Sequence, residues 1–225
     1  MKEILLDEIK TKSTPEELFN ISKFSEREDW KHRFLQLAEE AIEIARPKAI
    51  YKVAFIEEIV NDEVQIEGIK FESRILSENL KDVGRVFPFV ATCGRELDDW
   101  AEHFEDMMDD YMTDDIKEIF LADAREKLEE HIKNNFNPGS MSRMNPGSLE
   151  DWPIAQQKSL FNLLGDVYKK IGVELTDSML MKPNKSVSGI RFADEKDYNN
   201  CRLCARENCP NREAEFDPEA RKKQL

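Results

Sequence analysis

The chain lacks both a long apolar segment and an excess of basic residues. No uninterrupted apolar run approaches the roughly 20 residues that a membrane-spanning helix needs. Its start, Met1–Asp7, has no cationic segment followed by a long apolar stretch, so no export signal is predicted. The 225 residues include 33 Lys and Arg against 47 Asp and Glu, a formal net charge of −14. We therefore expect a cytoplasmic protein that binds neither nucleic acid, which requires a basic face, nor an anionic membrane.

Common catalytic and nucleotide-binding motifs are also missing. The sequence contains no G-x-S-x-G, no Walker loop and no G-x-G-x-x-G. Its three histidines, His32, His103 and His131, fall on predicted helices among charged residues, and no two stand at metal-ligand spacing. No general base stands out, so the residues alone leave open whether the chain is itself an enzyme.

Hydrophobic periodicity predicts an α+β fold with a largely antiparallel sheet. Helical spacing is clearest over residues 30–45, 97–111, 116–132 and 154–171, with Thr113 expected to cap the third of these helices. Residues 50–69 are typical of a hairpin, 86–92 of a buried strand, and 140–152, rich in Gly, Pro, Ser and Asn, of a loop. Helices and strands do not alternate regularly, which favours α+β over α/β. The length suits one domain, residues 1–199, with a cysteine-containing tail, residues 200–225.

Four cysteines are present, and three of them lie close together near the C-terminus. Cys201, Cys204 and Cys209 have the spacing Cys-x2-Cys-x4-Cys, which suits thiolate ligation of zinc or an iron–sulfur cluster. Cys93, where a buried strand enters a helix, is the remaining candidate for a fourth ligand. The alternative is that the tail cysteines are surface thiols and that Cys93 is a small core residue.

Two further features are candidates for ligand binding. In the segment Arg143–Ser148, Pro146 and Gly147 favour an extended backbone, and Arg143 offers a planar fork for a carboxylate. An ordinary connecting loop is the alternative. Glu129 is placed on a helix, where its carboxylate could bind an ammonium group of a ligand. That helix carries several acids, so the residues alone favour a solvated side chain at this position.

From about Phe87 to Tyr198 the chain resembles the activation domain of cobalamin-dependent methionine synthase and its free-standing relatives. The matching segments are Val90–Leu97, Arg143–Gly147, Gln157–Leu164, Ile171–Ser178 and Met181–Gly189. The order and spacing of the last two are the most specific. The cysteine-rich tail is similar to that of the free-standing relatives and is absent from the methionine synthase domain.

The resemblance implies a C-shaped α+β domain that binds S-adenosylmethionine. In the full enzyme this domain contacts the cobalamin domain, where oxidised cob(II)alamin is reduced by an electron donor and then trapped by methyl transfer from S-adenosylmethionine. The residues implied to contact the ligand are Glu129, Arg143, Asn145, Pro146, Gly147 and Tyr198. Of these, Arg143, Pro146 and Gly147 match the family pattern directly, and Tyr198 matches with an offset of one residue.

The chain also departs from the family in ways that bear on its function. The family's Arg-Pro-x-Pro-Gly-Tyr is here Arg143-Met144-Asn145-Pro146-Gly147-Ser148, without the first proline and the aromatic residue. The sequence has no cobalamin-binding Asp-x-His-x-x-Gly, so cobalamin is expected only on a partner, a corrinoid protein or a cobalamin-dependent methyltransferase served in trans. An iron–sulfur cluster in the tail would suit electron transfer to cobalt, whereas zinc would have only a structural role in the tail. The alternative function is a non-catalytic binding or scaffold module with a C-terminal metal or iron–sulfur site.

Overall fold

The computed structural model describes residues 3–11, 13–194, 198–209 and 212–224. Within them, eight strands form one antiparallel sheet and two more form a small ribbon. The strands of the main sheet are β1 (Ile4–Leu6), β2 (Lys48–Tyr51), β3 (Ala54–Val60), β4 (Glu63–Ile66), β5 (Ile69–Glu72), β6 (Arg85–Thr92), β7 (Met141–Met144) and β10 (Ser186–Ala193). The ribbon pairs β8 (Glu174–Leu175) with β9 (Met181–Lys182).

Helices cover both faces of the main sheet. They are α1 (Pro15–Ile21), α2 (Glu28–Ile44), α3 (Arg74–Leu80), α4 (Arg95–Ala101), α5 (Met107–Phe136), α6 (Gln157–Leu164), α7 (Val167–Ile171), α8 (Asn200–Leu203) and α9 (Pro218–Gln224), with a 3-10 turn at Ile154–Gln156. The mixture of helices with a sheet whose pairings are all antiparallel confirms the predicted α+β class.

Strand β6 lies at the centre of the sheet and divides the core in two. It pairs with β2 and β3 on one side and with β10 on the other, and β10 then pairs with β7. Because side chains alternate along a strand, Phe87 and Phe89 enter one core, against α2 and α5, while Val86 and Val90 enter the second. The second core also receives α6 and residues of α8 and α9, including the buried Leu203.

Several boundaries differ from the sequence-based expectations. The helix predicted over 97–111 ends at Ala101, and residues 107–111 belong to α5. The helix predicted over 154–171 is divided into a 3-10 turn, α6 and α7. The third predicted helix does not begin at Thr113, because α5 already begins at Met107, where the Asp106 carboxylate accepts hydrogen bonds from the backbone N–H groups of Met108 and Asp109. Thr113 is buried inside α5 instead. The predicted loop at 140–152 contains a strand, β7, which exists because it pairs with β10, a partner distant in sequence.

None of the described helices is both long enough and apolar enough to cross a bilayer.

Candidate functional site

Arg143 and Arg191 are direct cross-strand neighbours on β7 and β10. Arg191 is buried, its guanidinium lies 5.4 Å from the centre of the Phe89 ring, and its Nη1 donates to Glu129 Oε2 at 2.7 Å. Glu129 lies on α5, so this ion pair joins the helix to the sheet. Two arginines directly opposite each other repel, and a carboxylate between helix and sheet offsets that repulsion.

Glu129 is held as a carboxylate by two cations. Its second oxygen, Oε1, lies 2.7 Å from Lys133 Nζ, one turn further along α5. Burial alone would raise the pKa of Glu129, but the hydrogen bond from Lys133 and the positive charges of Lys133 and Arg191 outweigh burial, and the pKa lies below its ordinary value. The side chain is therefore ionised at neutral pH, with one oxygen paired to Arg191 and the other to Lys133.

A groove of about 540 Å³ lies between α5 and the strands β7 and β10. Its volume falls within the range of small-molecule sites, roughly 300 to 1,000 Å³. The charged residues that line it are Arg125, Glu126, Glu129, Glu130, Lys133, Arg143 and Arg191. Arg191 is among these lining residues, and its buried Nε has no hydrogen-bond partner among the described residues.

A second, smaller cavity of about 190 Å³ lies next to the groove, and Arg143 lines both. Its lining consists of Arg143, Asn145, Ser148, Tyr198, Asn199, Asn200, Cys201 and Glu213. Four of the six predicted ligand residues are thus brought to two adjoining cavities, Glu129 and Arg143 in the groove, and Arg143, Asn145 and Tyr198 in the smaller one. Pro146 and Gly147 line neither.

The loop after β7 has a conformational role in this arrangement. Gly147 has φ of 82°, a conformation that side chains rarely adopt, and its N–H donates to the Trp152 carbonyl at 2.7 Å. Asn145 donates its side-chain amide to the Ser188 carbonyl at 2.6 Å, which ties the loop to β10. These two contacts fix the direction in which the chain leaves Arg143.

Tyr198 contributes a neutral hydroxyl to the smaller cavity. Burial raises its pKa well above the usual range, and its O–H donates to the Asn200 side-chain oxygen at 2.7 Å. Its backbone N–H donates to Asp194 Oδ2 at 2.7 Å. Tyr198 is therefore held in place by both its backbone and its hydroxyl.

Glu213, in the C-terminal tail, closes the smaller cavity from outside. Its Oε1 forms ion pairs with Arg143 and with Arg125, the latter at 3.0 Å. Partial burial acts to raise the pKa of Glu213, but the two guanidinium groups outweigh burial and the pKa lies below its ordinary value. The tail is thereby attached to both β7 and α5.

The structure does not bring the four cysteines together. Cys93 is fully buried in the core between the sheet and α5, its thiol donates to the Gly94 carbonyl, and burial raises its pKa to about 12. Cys204 packs against the core on the opposite face of the sheet. Cys93 is consequently separated from the tail by the sheet and does not complete a site with the tail cysteines.

Two of the three tail cysteines have different surroundings. Cys201 lines the cavity beside Arg143, and its sulfur accepts from the Glu213 N–H at 3.4 Å, whereas Cys204 faces the second core. Across the described part of the chain, no group of three or more His, Cys, Asp or Glu side chains is arranged to hold a metal ion. The residues in this arrangement do not fit the predicted zinc or iron–sulfur site.

Two other clefts, of about 600 and 610 Å³, lie along the hairpins of β3, β4 and β5. Neither is lined by a predicted ligand residue. We therefore place the candidate site at the groove and not at these clefts.

Sequence reasoning missed several charged residues of the site, among them Arg125, Arg191 and Glu213. Arg191 carried a readable signal, because it is a lone arginine in the otherwise uncharged segment Ser186–Ala193. Arg125 and Glu213 carried none, since their pairing joins positions 88 residues apart.

Comparison with known proteins supports the resemblance seen in the sequence. Residues 142–213 match the family model for the activation domain of vitamin B12 dependent methionine synthase. Among solved structures, the chain is similar to a crystal structure of the MetH reactivation domain bound to AdoHcy, with 18% sequence identity and a TM-score of 0.60 over 89% of this chain and 81% of that chain. No curated protein matches the sequence.

The matched segment contains the loop after β7, Tyr198 and Glu213, whereas Glu129 lies before it. The resemblance inferred from the sequence is therefore confirmed: residues 142–213 match the methionine synthase activation-domain family, and the chain has the fold of the MetH reactivation domain.

Proposed function

We propose that the chain binds S-adenosylmethionine in the groove between α5 and β7 and supports reductive reactivation of a separate corrinoid protein. The observation that carries the proposal is the convergence of Glu129, Arg143, Asn145 and Tyr198, from separate parts of the sequence, on two adjoining cavities. The AdoHcy bound by the structurally similar MetH domain supports an adenosyl amino acid as the ligand class.

The charges in the groove suit a ligand that carries both signs. S-adenosylmethionine has a carboxylate, an ammonium group and a sulfonium. The Arg143 guanidinium would bind the carboxylate, since arginine and carboxylate form two parallel hydrogen bonds. Glu129, ionised and partly exposed, would attract the cationic end. The unpartnered Nε of Arg191 would donate to a ligand oxygen or nitrogen.

The chemistry would occur on the partner, because the proposed site supplies binding and positioning only. One electron from a donor protein would reduce cob(II)alamin to cob(I)alamin. The reduced cobalt would then take the methyl group of S-adenosylmethionine, and its carbon–sulfur bond electrons would stay on sulfur to give S-adenosylhomocysteine. The role of this chain would be to hold the methyl donor against the partner's cobalt, which makes the reaction effectively unimolecular.

Calorimetric titration with S-adenosylmethionine tests the binding step. We expect saturable heat for the wild type and at least tenfold weaker binding for Arg143→Gln, because hydrogen bonds to a charged group contribute about 1.5–3 kcal/mol. Arg74→Gln is the matched control, since Arg74 is exposed on α3 and pairs only locally with Glu78. Absence of binding at millimolar ligand, with all three proteins alike, would rule out the proposed ligand.

A reactivation assay tests the second step. The chain, S-adenosylmethionine and a one-electron reductant would be mixed with a corrinoid protein held as cob(II)alamin, and methylcobalamin formation would be followed by absorbance. We expect methylation to depend on the chain and to fall with Arg143→Gln. Binding without any acceleration of methylation would instead favour a non-catalytic binding or scaffold module, the alternative that is supported by Ser148 at the position of the family's aromatic residue.

A further inference from the structure

The contact between the tail and the groove has the chemistry of a bound carboxylate. Arg125 and Arg143 approach the same oxygen of Glu213 from two different elements, helix α5 and strand β7. Among the described residues, Glu213 is the only acidic partner of either guanidinium. Two arginines that converge on one carboxylate oxygen form a ready anion site.

We propose that Arg125 and Arg143 form the carboxylate-binding pair of the ligand groove, and that Glu213 occupies this pair from within the same chain. The inference rests on the proposed function, because it assigns a carboxylate-bearing ligand to the groove. It adds Arg125 to the ligand-binding residues and makes the tail a competitor of the ligand. A ligand carboxylate enters by displacing Glu213.

Competition follows from charge and from space. Two carboxylates cannot share the same pair of guanidinium groups without repulsion, and Arg143 separates the groove from the cavity that the tail closes. The Glu213 side chain is 41% exposed, so its ion pairs are partly screened by water and replaceable. The N–H of Glu213 donates to Cys201 Sγ, so displacement of the carboxylate also disturbs the segment that carries the tail cysteines.

The test compares two ligands and a neutral substitution. S-adenosylhomocysteine carries the amino-acid carboxylate, whereas methylthioadenosine keeps the adenosine and the thioether but has no carboxylate. For Glu213→Gln we expect S-adenosylhomocysteine to bind roughly two- to fivefold more tightly by calorimetry, the range of a partly exposed ion pair. Binding of methylthioadenosine should stay unchanged. Glu215→Gln, two residues further along the exposed tail, is the matched control and should bind both ligands as the wild type does.

A second substitution tests Arg125 itself. In the Glu213→Gln background, where the tail no longer competes, Arg125→Gln should weaken S-adenosylhomocysteine binding roughly two- to fivefold. Lys127→Gln, two residues further on α5 and paired with Glu130, should not. If Glu213→Gln fails to fold, Glu213→Asp, which keeps the charge but shortens the side chain, should tighten binding of the same ligand by a smaller factor.

The outcomes separate this proposal from the proposed function. Equal affinity of wild type and Glu213→Gln for S-adenosylhomocysteine would overturn the competition and leave the proposed function standing. Equal tightening for both ligands would show that the tail is only a steric cover and overturn the arginine pair. Absence of binding by every variant would overturn the proposed function and this inference with it.

Discussion

Gly189 sets how closely the loop that follows Arg143 can approach β10. A Cβ atom at this position would lie 2.5 Å from both the Met144 carbonyl oxygen and Asn145 Nδ2, closer than real Cβ contacts. We expect Gly189→Ala to break the hydrogen bond from Asn145 to the Ser188 carbonyl and to lower the free energy of unfolding by about 1–3 kcal/mol. Urea denaturation measures the change.

Gly84→Ala is the control for that substitution. A Cβ at Gly84 has nothing within 4 Å and the residue is not in a left-handed conformation, so its free energy of unfolding should change by no more than about 0.5 kcal/mol. If both alanine variants were equally stable, β7 and β10 would be less closely packed than the structure has them.

The four cysteines should differ in reactivity according to their burial. Cys93 is fully buried, with its pKa raised to about 12, whereas Cys201, Cys204 and Cys209 are partly exposed. At pH 8 we expect a thiol reagent to label the three tail cysteines in the native chain and Cys93 only after denaturation. The native Cys93→Ala variant should have the same number of labelled thiols as the native wild type. After denaturation, the variant should have one labelled thiol fewer than the denatured wild type. A fourth fast thiol in the native wild type would contradict this burial.

Single residues also show where sequence reasoning succeeded and where it stopped. Arg143, Asn145 and Tyr198 were predicted because a family pattern fixes their spacing along the chain. The pairing of Arg143 with Glu213, 70 residues away, could not be predicted, because it depends on how the tail crosses the edge of the sheet. The burial of Cys93 was one of two readings that the sequence left open, and the alternation of side chains along β6 decides between them.

At the scale of elements, the ion pair between Glu129 and Arg191 joins α5 to β10. Removal of the Glu129 charge would leave the buried Arg191 guanidinium without its counter-ion. We expect Glu129→Gln to lower the free energy of unfolding at pH 7 by about 1–3 kcal/mol, less than for a fully buried pair because Glu129 is one third exposed.

The same pair predicts a pH dependence. Because the pKa of Glu129 is lower in the folded chain than the ordinary value of 4.5, its contribution is fully present above about pH 4.5 and is lost as the pH falls through the folded pKa. Glu129→Gln should therefore flatten the loss of stability below pH 4.5, as measured by urea denaturation from pH 3 to 7. Glu126→Gln, an exposed residue one turn earlier on α5, should follow the wild-type curve. If the free energy of unfolding of Glu129→Gln fell below pH 4.5 as steeply as that of the wild type, the result would contradict the ion pair.

Elements with strong local signals were predicted, whereas strand β7, which depends on pairing with a distant strand, was not. Most of α5 is periodic in its apolar residues and was expected, but its start was misplaced, because Asp106 and Thr113 are both acceptable capping residues in sequence terms. Strand β7 is four residues long and stands beside an Asn-Pro-Gly turn, so local composition indicates a loop. It is a strand only because β10 supplies its hydrogen-bond partners, and this non-local strand is the element that carries Arg143.

At the scale of the whole molecule, the two hydrophobic cores lie on opposite faces of the central sheet, and strand β6 contributes side chains to both. Alternate residues of β6 belong to the core against α5 and to the core against α6. The surplus of 14 negative charges is compatible with this arrangement, because the buried Arg191 has its own carboxylate in Glu129. We expect the chain to unfold in a single transition, since the two cores share strands.

We expect the tail, which the sequence predicted as a segment of residues 200–225, to unfold together with that sheet. Leu203 of α8 is fully buried in the second core, and its carbonyl accepts from Arg221 Nη1 at 3.1 Å, which ties α9 to α8. The tail therefore contributes apolar side chains to the core and an acidic side chain, Glu213, to the smaller cavity beside the groove. We therefore expect that loss of the packing of Leu203 also affects the position of Glu213.

Leucine-to-alanine substitutions test this integration. Leu203→Ala should lower the free energy of unfolding by about 2–5 kcal/mol, because it removes buried methyl groups and leaves a cavity. The midpoint of urea denaturation, followed by the fluorescence of the buried Trp152 in the same core, measures the change. Leu180→Ala, at a leucine that is 61% exposed, should stay within about 0.5 kcal/mol of the wild type. If the tail were an independent appendage, both variants would unfold at the wild-type midpoint. A single transition that is displaced only in Leu203→Ala requires that residues beyond 200 fold together with the rest of the domain, whose smaller cavity they line.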